Sequence, residues 1–201
     1  MGLFNLSMFL SLSLGPLMGG VIHDIWTMNA AFVCMGLLSL TGVLLCFWLL
    51  PPLSEERIRS GPLPAQIPWS LVVKDLDLFA LFSFRYAYTA CIGAIWCFLP
   101  LFADTVFGLS GAQIGLLVML GVFISGILQL PMGYAADRFS RRGLTLAGGA
   151  VAAAGMFLIY FAASFSDLLA AIALFGVGGG ISMPAITALA VVKGEQKKAM
   201  G

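Results

Sequence analysis

Gly133-Tyr134-Ala135-Ala136-Asp137-Arg138-Phe139-Ser140-Arg141-Arg142-Gly143 sets one acid and three arginines between two runs, 111–133 and 144–165, that carry no charge at all. Each run is long enough to cross the roughly 30 Å of bilayer hydrocarbon, which takes about 20 apolar residues. The charged stretch is therefore expected to be a short turn at a membrane surface, with Gly133 allowing a tight exit from one helix. Asp137 can favour the N-terminus of the next helix by its charge, and the arginines can pair with that acid or with anionic lipid.

Working outward, the same reading gives six uncharged or nearly uncharged runs: 3–22, 30–50, 78–103, 111–133, 144–165 and 168–192. Composition agrees, since 61% of the 201 residues are hydrophobic and only 9% are charged, against roughly one quarter charged in soluble domains. The fold class expected is an all-α membrane protein of six transmembrane helices. A β-barrel is disfavoured because its strands would be about 10 residues of alternating polarity. Gly15-Pro16, Pro131, Gly178 to Gly180 and Pro184 argue little against helix, since neighbouring helices can satisfy freed backbone groups in a membrane. Met1 leads into Leu3 to Gly20 with no basic region and no A-x-A site, so the first run is expected to stay.

Nine of the ten lysines and arginines fall in alternate connections: Arg57, Arg59 and Lys74; Arg138, Arg141 and Arg142; Lys193, Lys197 and Lys198. The positive-inside rule makes that side cytoplasmic, with both termini there, in a plasma (inner) membrane. Asp24, Asp104 and Asp167 lie in the opposite loops and no acid lies inside an apolar run. The proline-rich stretch 51–77 reads as a cytoplasmic linker between two helices in 1–50 and four in 78–201. A net charge of +1 gives no case for nucleic acid. Cys34, Cys46, Cys91 and Cys97 form no CxxC pair and only one histidine is present, so no metal site or cofactor is expected and the cysteines read as small buried packing residues.

The junction resembles the signature loop of the major facilitator superfamily, G-x-L-a-D-r-x-G-r-r/k, through Gly133, Asp137, Arg138, Arg141 and Arg142; Ser140 replaces the usual second glycine and Ala135 the common leucine. Gly15-Pro16-Leu17-Met18-Gly19-Gly20 resembles the G-P-x-x-G-G motif of the drug and proton antiporter branch. There Pro16 removes a backbone donor and bends the helix, while Gly15, Gly19 and Gly20 admit a close helix neighbour. Both motifs, in this order and spacing, imply a partial major facilitator fold equivalent to helices five to ten. Helices one to four, eleven and twelve would then lie outside this chain. Pseudo-symmetry within that fold would set Asp137 beside the helix start at Gly2 to Ser7.

Arg85 is the one lysine or arginine inside a run, and intramembrane arginines either snorkel to the headgroups or face a cavity. Thr89, Ile92 and Trp96 share its helical face. Ser125 and Gln129 are four apart, placed for inter-helix hydrogen bonding or for solute contact, and Gly176, Gly179, Met183 and Thr187 form a face of mostly small residues. With the resemblance, Arg85, Thr89, Trp96, Ser125, Gln129, Met183 and Thr187 are the candidates for a substrate cavity.

The function implied is transport of a small solute by alternating access, an efflux or antiport step with a coupling proton or ion. The partners are that solute and the lipid bilayer. The alternative is an inactive truncated membrane remnant that only associates with other helices. An enzyme is not expected: an intramembrane protease would want Gly-x-Ser-Gly, and Phe123-Ile124-Ser125-Gly126 lacks the first glycine.

Overall fold

The computed structural model describes residues 2–49 and 75–198, with side chains described at 8–49 and 75–193. Six α-helices lie in this part: α1 Gly2–Ile25, α2 Met28–Leu49, α3 Leu76–Phe107, α4 Gly111–Arg138, α5 Arg141–Phe161 and α6 Phe165–Lys198. All six are long and apolar enough to cross a membrane. Most of the expected linker, residues 50–74, lies outside the described residues, and so do Arg57, Arg59 and Lys74.

The helices outrun their apolar cores. At 1.5 Å per residue the 32 residues of α3 extend about 48 Å, so its acids fall in its terminal turns, Asp77 in the first and Asp104 in the last. The ends are closed by local polar groups. Asp75 caps α3 by accepting from the N–H groups of Asp77 and Leu78, and Gly108 ends it at φ 61°, a left-handed conformation suited to glycine. Ser110 and Gln113 form a reciprocal capping box at the start of α4.

Glycine sets which helices meet. α5 and α6 run antiparallel in backbone contact: a methyl group on Gly148 would come within 2.7 Å of the Gly178 carbonyl oxygen, and one on Gly155 within 2.6 Å of the Phe175 nitrogen. α4 and α6 run parallel, with Gly176 against the Gly121 carbonyl. α1 and α4 are antiparallel, with Gly20 against Gly111, Pro16 and Leu17 against Gly115, and Phe9 against Gly126. α6 is the most buried helix, and around it Ile95 and Leu99 of α3, Leu117 of α4, and Leu168, Ile172 and Phe175 of α6 form the centre of the core. Helix directions thus alternate, collecting Asp24, Asp104 and Asp167 at one end and Arg138, Arg141, Arg142 and Lys193 at the other.

Several local expectations change. α1 continues through Pro16. Gly19 and Gly15 face open space, so among the described residues only Gly20 of that motif's glycines meets a neighbouring backbone. Gly133 does not end α4, which runs on to Arg138, and no described residue lies within 4 Å of the site of its missing side chain. The cysteines are not buried: Cys46 and Cys97 are exposed, and Cys34 and Cys91 are intermediate. Outward faces of membrane helices meet hydrocarbon, so a small apolar side chain is as well placed there as in a core.

Candidate functional site

α3 approaches its neighbours through side chains rather than backbone, and this leaves a space of about 740 Å³ between α1, α3, α4 and α6. The seven side chains singled out by helical spacing, Arg85, Thr89, Trp96, Ser125, Gln129, Met183 and Thr187, all line it, as does Ile92. They come from α3, α4 and α6. α1 adds Met8, Phe9 and Leu12, which no spacing rule distinguished from lipid-facing residues.

Arg85 stands in the wall of the cavity. Its Nη1 donates to the thioether sulfur of Met183 at 2.8 Å, across from α3 to α6, and sulfur is a weak acceptor. One helical turn on, the Tyr88 ring is buried and stacks on Phe175 of α6 with centroids 5.3 Å apart and planes 5° from parallel. The Tyr88 hydroxyl lies against Gly179 and engages the Ser125 hydroxyl of α4. Gly179 is thus a clearance for that phenol, since an added methyl would overlap it. Tyr88 was missed at the sequence level, although its place three residues after Arg85 sets it on a neighbouring part of the same face.

The remaining polar groups divide into satisfied and free. Thr89 donates to the Arg85 carbonyl at 2.9 Å and Thr187 to the Met183 carbonyl at 2.8 Å, each bonding back four residues in its own helix. Ser125 makes the inter-helix contact that its position allowed. Gln129 makes no hydrogen bond among the described residues, and its amide is free to meet a ligand. Among the described residues no Asp or Glu lines the cavity.

The signature-loop residues lie at the far end of α4 from the Ser110 cap. Asp137 pairs with Arg141 at 3.5 Å, and Arg141 Nε donates to the Ala136 carbonyl at 3.2 Å. The cap of α5 is Ser140, whose hydroxyl accepts from Gly143 N–H at 3.3 Å. Asp137 therefore does not cap α5, because the serine standing at the motif's glycine position takes that role. Arg138 and Arg142 make no ion pair among the described residues. The expected partner of Asp137, the start of α1 from Gly2 to Ser7, lies outside the described side chains.

At the opposite end Asp24 joins α1 to α4. Its two carboxylate oxygens accept from Gly111 N–H at 2.8 Å and Ala112 N–H at 2.7 Å, the first orphan donors of α4, where a negative charge is favoured. The separation of 87 and 88 residues gave no signal in the sequence. A third link, Lys193 of α6 to Asp77 of α3, closes the basic end.

A family model described as the Major Facilitator Superfamily matches residues 1–201. An uncharacterized MFS-type transporter of Methanocaldococcus jannaschii is 23% identical over 195 residues, covering 95% of this chain and 50% of the relative. The chain thus spans about half the length of the curated relative it matches. No solved structure gives a significant match.

Proposed function

The chain belongs to the Major Facilitator Superfamily, and from that premise we propose that it forms part of the solute pathway of a secondary transporter working by alternating access, with efflux as the direction. Family membership supports a multi-pass membrane protein that serves a transporter rather than an enzyme. The observation that carries the finer reading is the 740 Å³ cavity between α1, α3, α4 and α6, of a size to hold a small organic solute and walled largely by apolar side chains with a few polar ones. Alternating access rocks one helix bundle against another around a fixed site, and here the space lies where α1 meets the bundle of α3, α4 and α6.

In this reading α1 and α2 are the fifth and sixth helices of the family fold, and α3 to α6 are the seventh to tenth. The division falls at the 51–77 linker, the basic end is cytoplasmic, and the membrane is the plasma membrane. The G-P-x-x-G-G sequence of α1 and its close approach to α4 support the drug and proton antiporter branch.

A second reading has its own supporting observation. Among the described residues α2 packs mainly against α1 and exposes nearly all of its large apolar side chains, which suits a chain that associates with further helices and does not transport alone. Proteoliposomes containing this chain as their only protein separate the two, using a panel of radiolabelled organic solutes. Flux above empty liposomes would sink the remnant reading. Absence of both flux and solute binding would sink the transport reading.

A further inference from the structure

The cavity has an uncompensated charge. Among the described residues Arg85 is the only ionised side chain lining it, and the ion pairs of the described residues lie at the helix ends, between Arg141 and Asp137 and between Lys193 and Asp77. A guanidinium offers five N–H donors in a planar fork, and the side-chain partner of this one among the described residues is a single thioether sulfur. Arg85 is an exposed residue, so a solute can reach its fork, and the solute group that matches the fork best is an anion presenting two oxygens.

The rest of the wall sets the other half of the ligand. Trp96, Ile92, Phe9 and Val122 supply apolar and aromatic surface, and Gln129 supplies one amide without a protein partner. The threonine hydroxyls have spent their protons on backbone carbonyls. Such a wall offers little to a sugar, whose many hydroxyls would need many partners, and its one charge repels organic cations.

We propose that the solute of this cavity is an amphipathic organic anion: a soluble acid whose carboxylate or sulfonate sits on Arg85 and whose apolar or aromatic body lies along Trp96 and its neighbours. The assignment rests on the transport reading above. It makes Arg85 the specificity-determining residue, with Gln129 as a second polar contact.

A matched series on one skeleton tests it: radiolabelled 4-phenylbutyrate, 4-phenylbutan-1-ol and 4-phenylbutylamine, binding at equilibrium to the chain in phosphatidylcholine nanodiscs. The acid is expected to bind about tenfold or more tightly than the alcohol, the margin of one charge-assisted hydrogen bond, and the amine weakest. Arg85→Gln is expected to bring the acid down to the alcohol's affinity, Arg85→Lys to keep part of the margin, and Arg85→Glu to turn the preference to the amine. Repeating the measurement in phosphatidylglycerol nanodiscs distinguishes a soluble acid from a lipid headgroup: unchanged acid binding supports the proposal, and displacement by the lipid overturns it. Equal binding of all three probes, or an acid preference that survives Arg85→Gln, overturns the anion assignment and leaves the cavity reading standing. If none of the three binds the wild-type chain, the cavity reading falls as well. The wild-type series decides the question even if a variant fails to fold.

Discussion

Replacing Gly115 by alanine tests the backbone contact between α1 and α4. The added methyl would lie 2.5 Å from the Pro16 carbonyl oxygen and 2.9 Å from the Leu17 Cα, whereas ordinary heavy-atom contacts lie near 3.5–4.0 Å. Both obstacles are backbone, so the helices must part by about 1 Å, and the overpacking is expected to cost about 1–3 kcal/mol. Alanine also gains about 0.8–1 kcal/mol of helix propensity over glycine, which would partly mask the cost. Gly133→Ala removes that ambiguity: it lies in the same helix, earns the same gain, and meets nothing within 4 Å among the described residues. At about 2–4 °C per kcal/mol for a chain of this size, Gly115→Ala should melt about 2–12 °C below Gly133→Ala, the range set by the overpacking cost. Thermal unfolding of both purified variants in one detergent, followed by circular dichroism, gives the comparison. Equal melting temperatures would refute the contact, and Gly133→Ala melting below wild type would refute the open space assigned to it.

Asp24→Asn should weaken the α1–α4 link, because an amide keeps one acceptor oxygen and loses the charge favoured at a helix start; it should lower the melting temperature more than Asp104→Asn, whose carboxylate makes no hydrogen bond among the described residues. Ser140→Ala should destabilise α5 by about 1 kcal/mol, and Ser140→Gly by only a few tenths, measured by the same melting assay; equal losses would argue against the cap. Sidedness is read by labelling with a membrane-impermeant maleimide after replacement of the four native cysteines: Ser140→Cys should react only from the cytoplasmic side and Ser164→Cys only from outside.

The helices were legible because membrane insertion reads length and hydropathy, and both are local sums over about 20 residues. The face bearing Arg85, Thr89, Ile92 and Trp96 was legible for the same kind of reason, since 3.6-residue periodicity places side chains on one side of α3 whatever it packs against. The share of α1 in the cavity was not. Met8, Phe9 and Leu12 are apolar, and in a membrane an apolar residue facing a cavity looks the same in sequence as one facing lipid. The Asp24 bridge was hidden differently, because a backbone N–H carries no sequence label and its acceptor can come from anywhere in the chain. Ser140 was read as a departure from a motif, yet serine at a helix entrance has a physical preference of its own, and that preference predicts its cap.

The contacts also differ in kind around the cavity. α5 meets α6, α4 meets α6 and α1 meets α4 through glycines, where one backbone rests on another and a gap of about 0.5–1 Å forfeits roughly a quarter to a half of the contact energy. α3 meets α6 through side chains: Ile95 and Leu99 in the core, and Arg85 on Met183, Tyr88 on Phe175 and Lys193 on Asp77. The α3 wall also carries the charge proposed to hold the solute. On this geometry an anion drawing the Arg85 guanidinium away from Met183 replaces a weak sulfur contact with a strong one, so solute binding would loosen one of the contacts that hold α3 to α6.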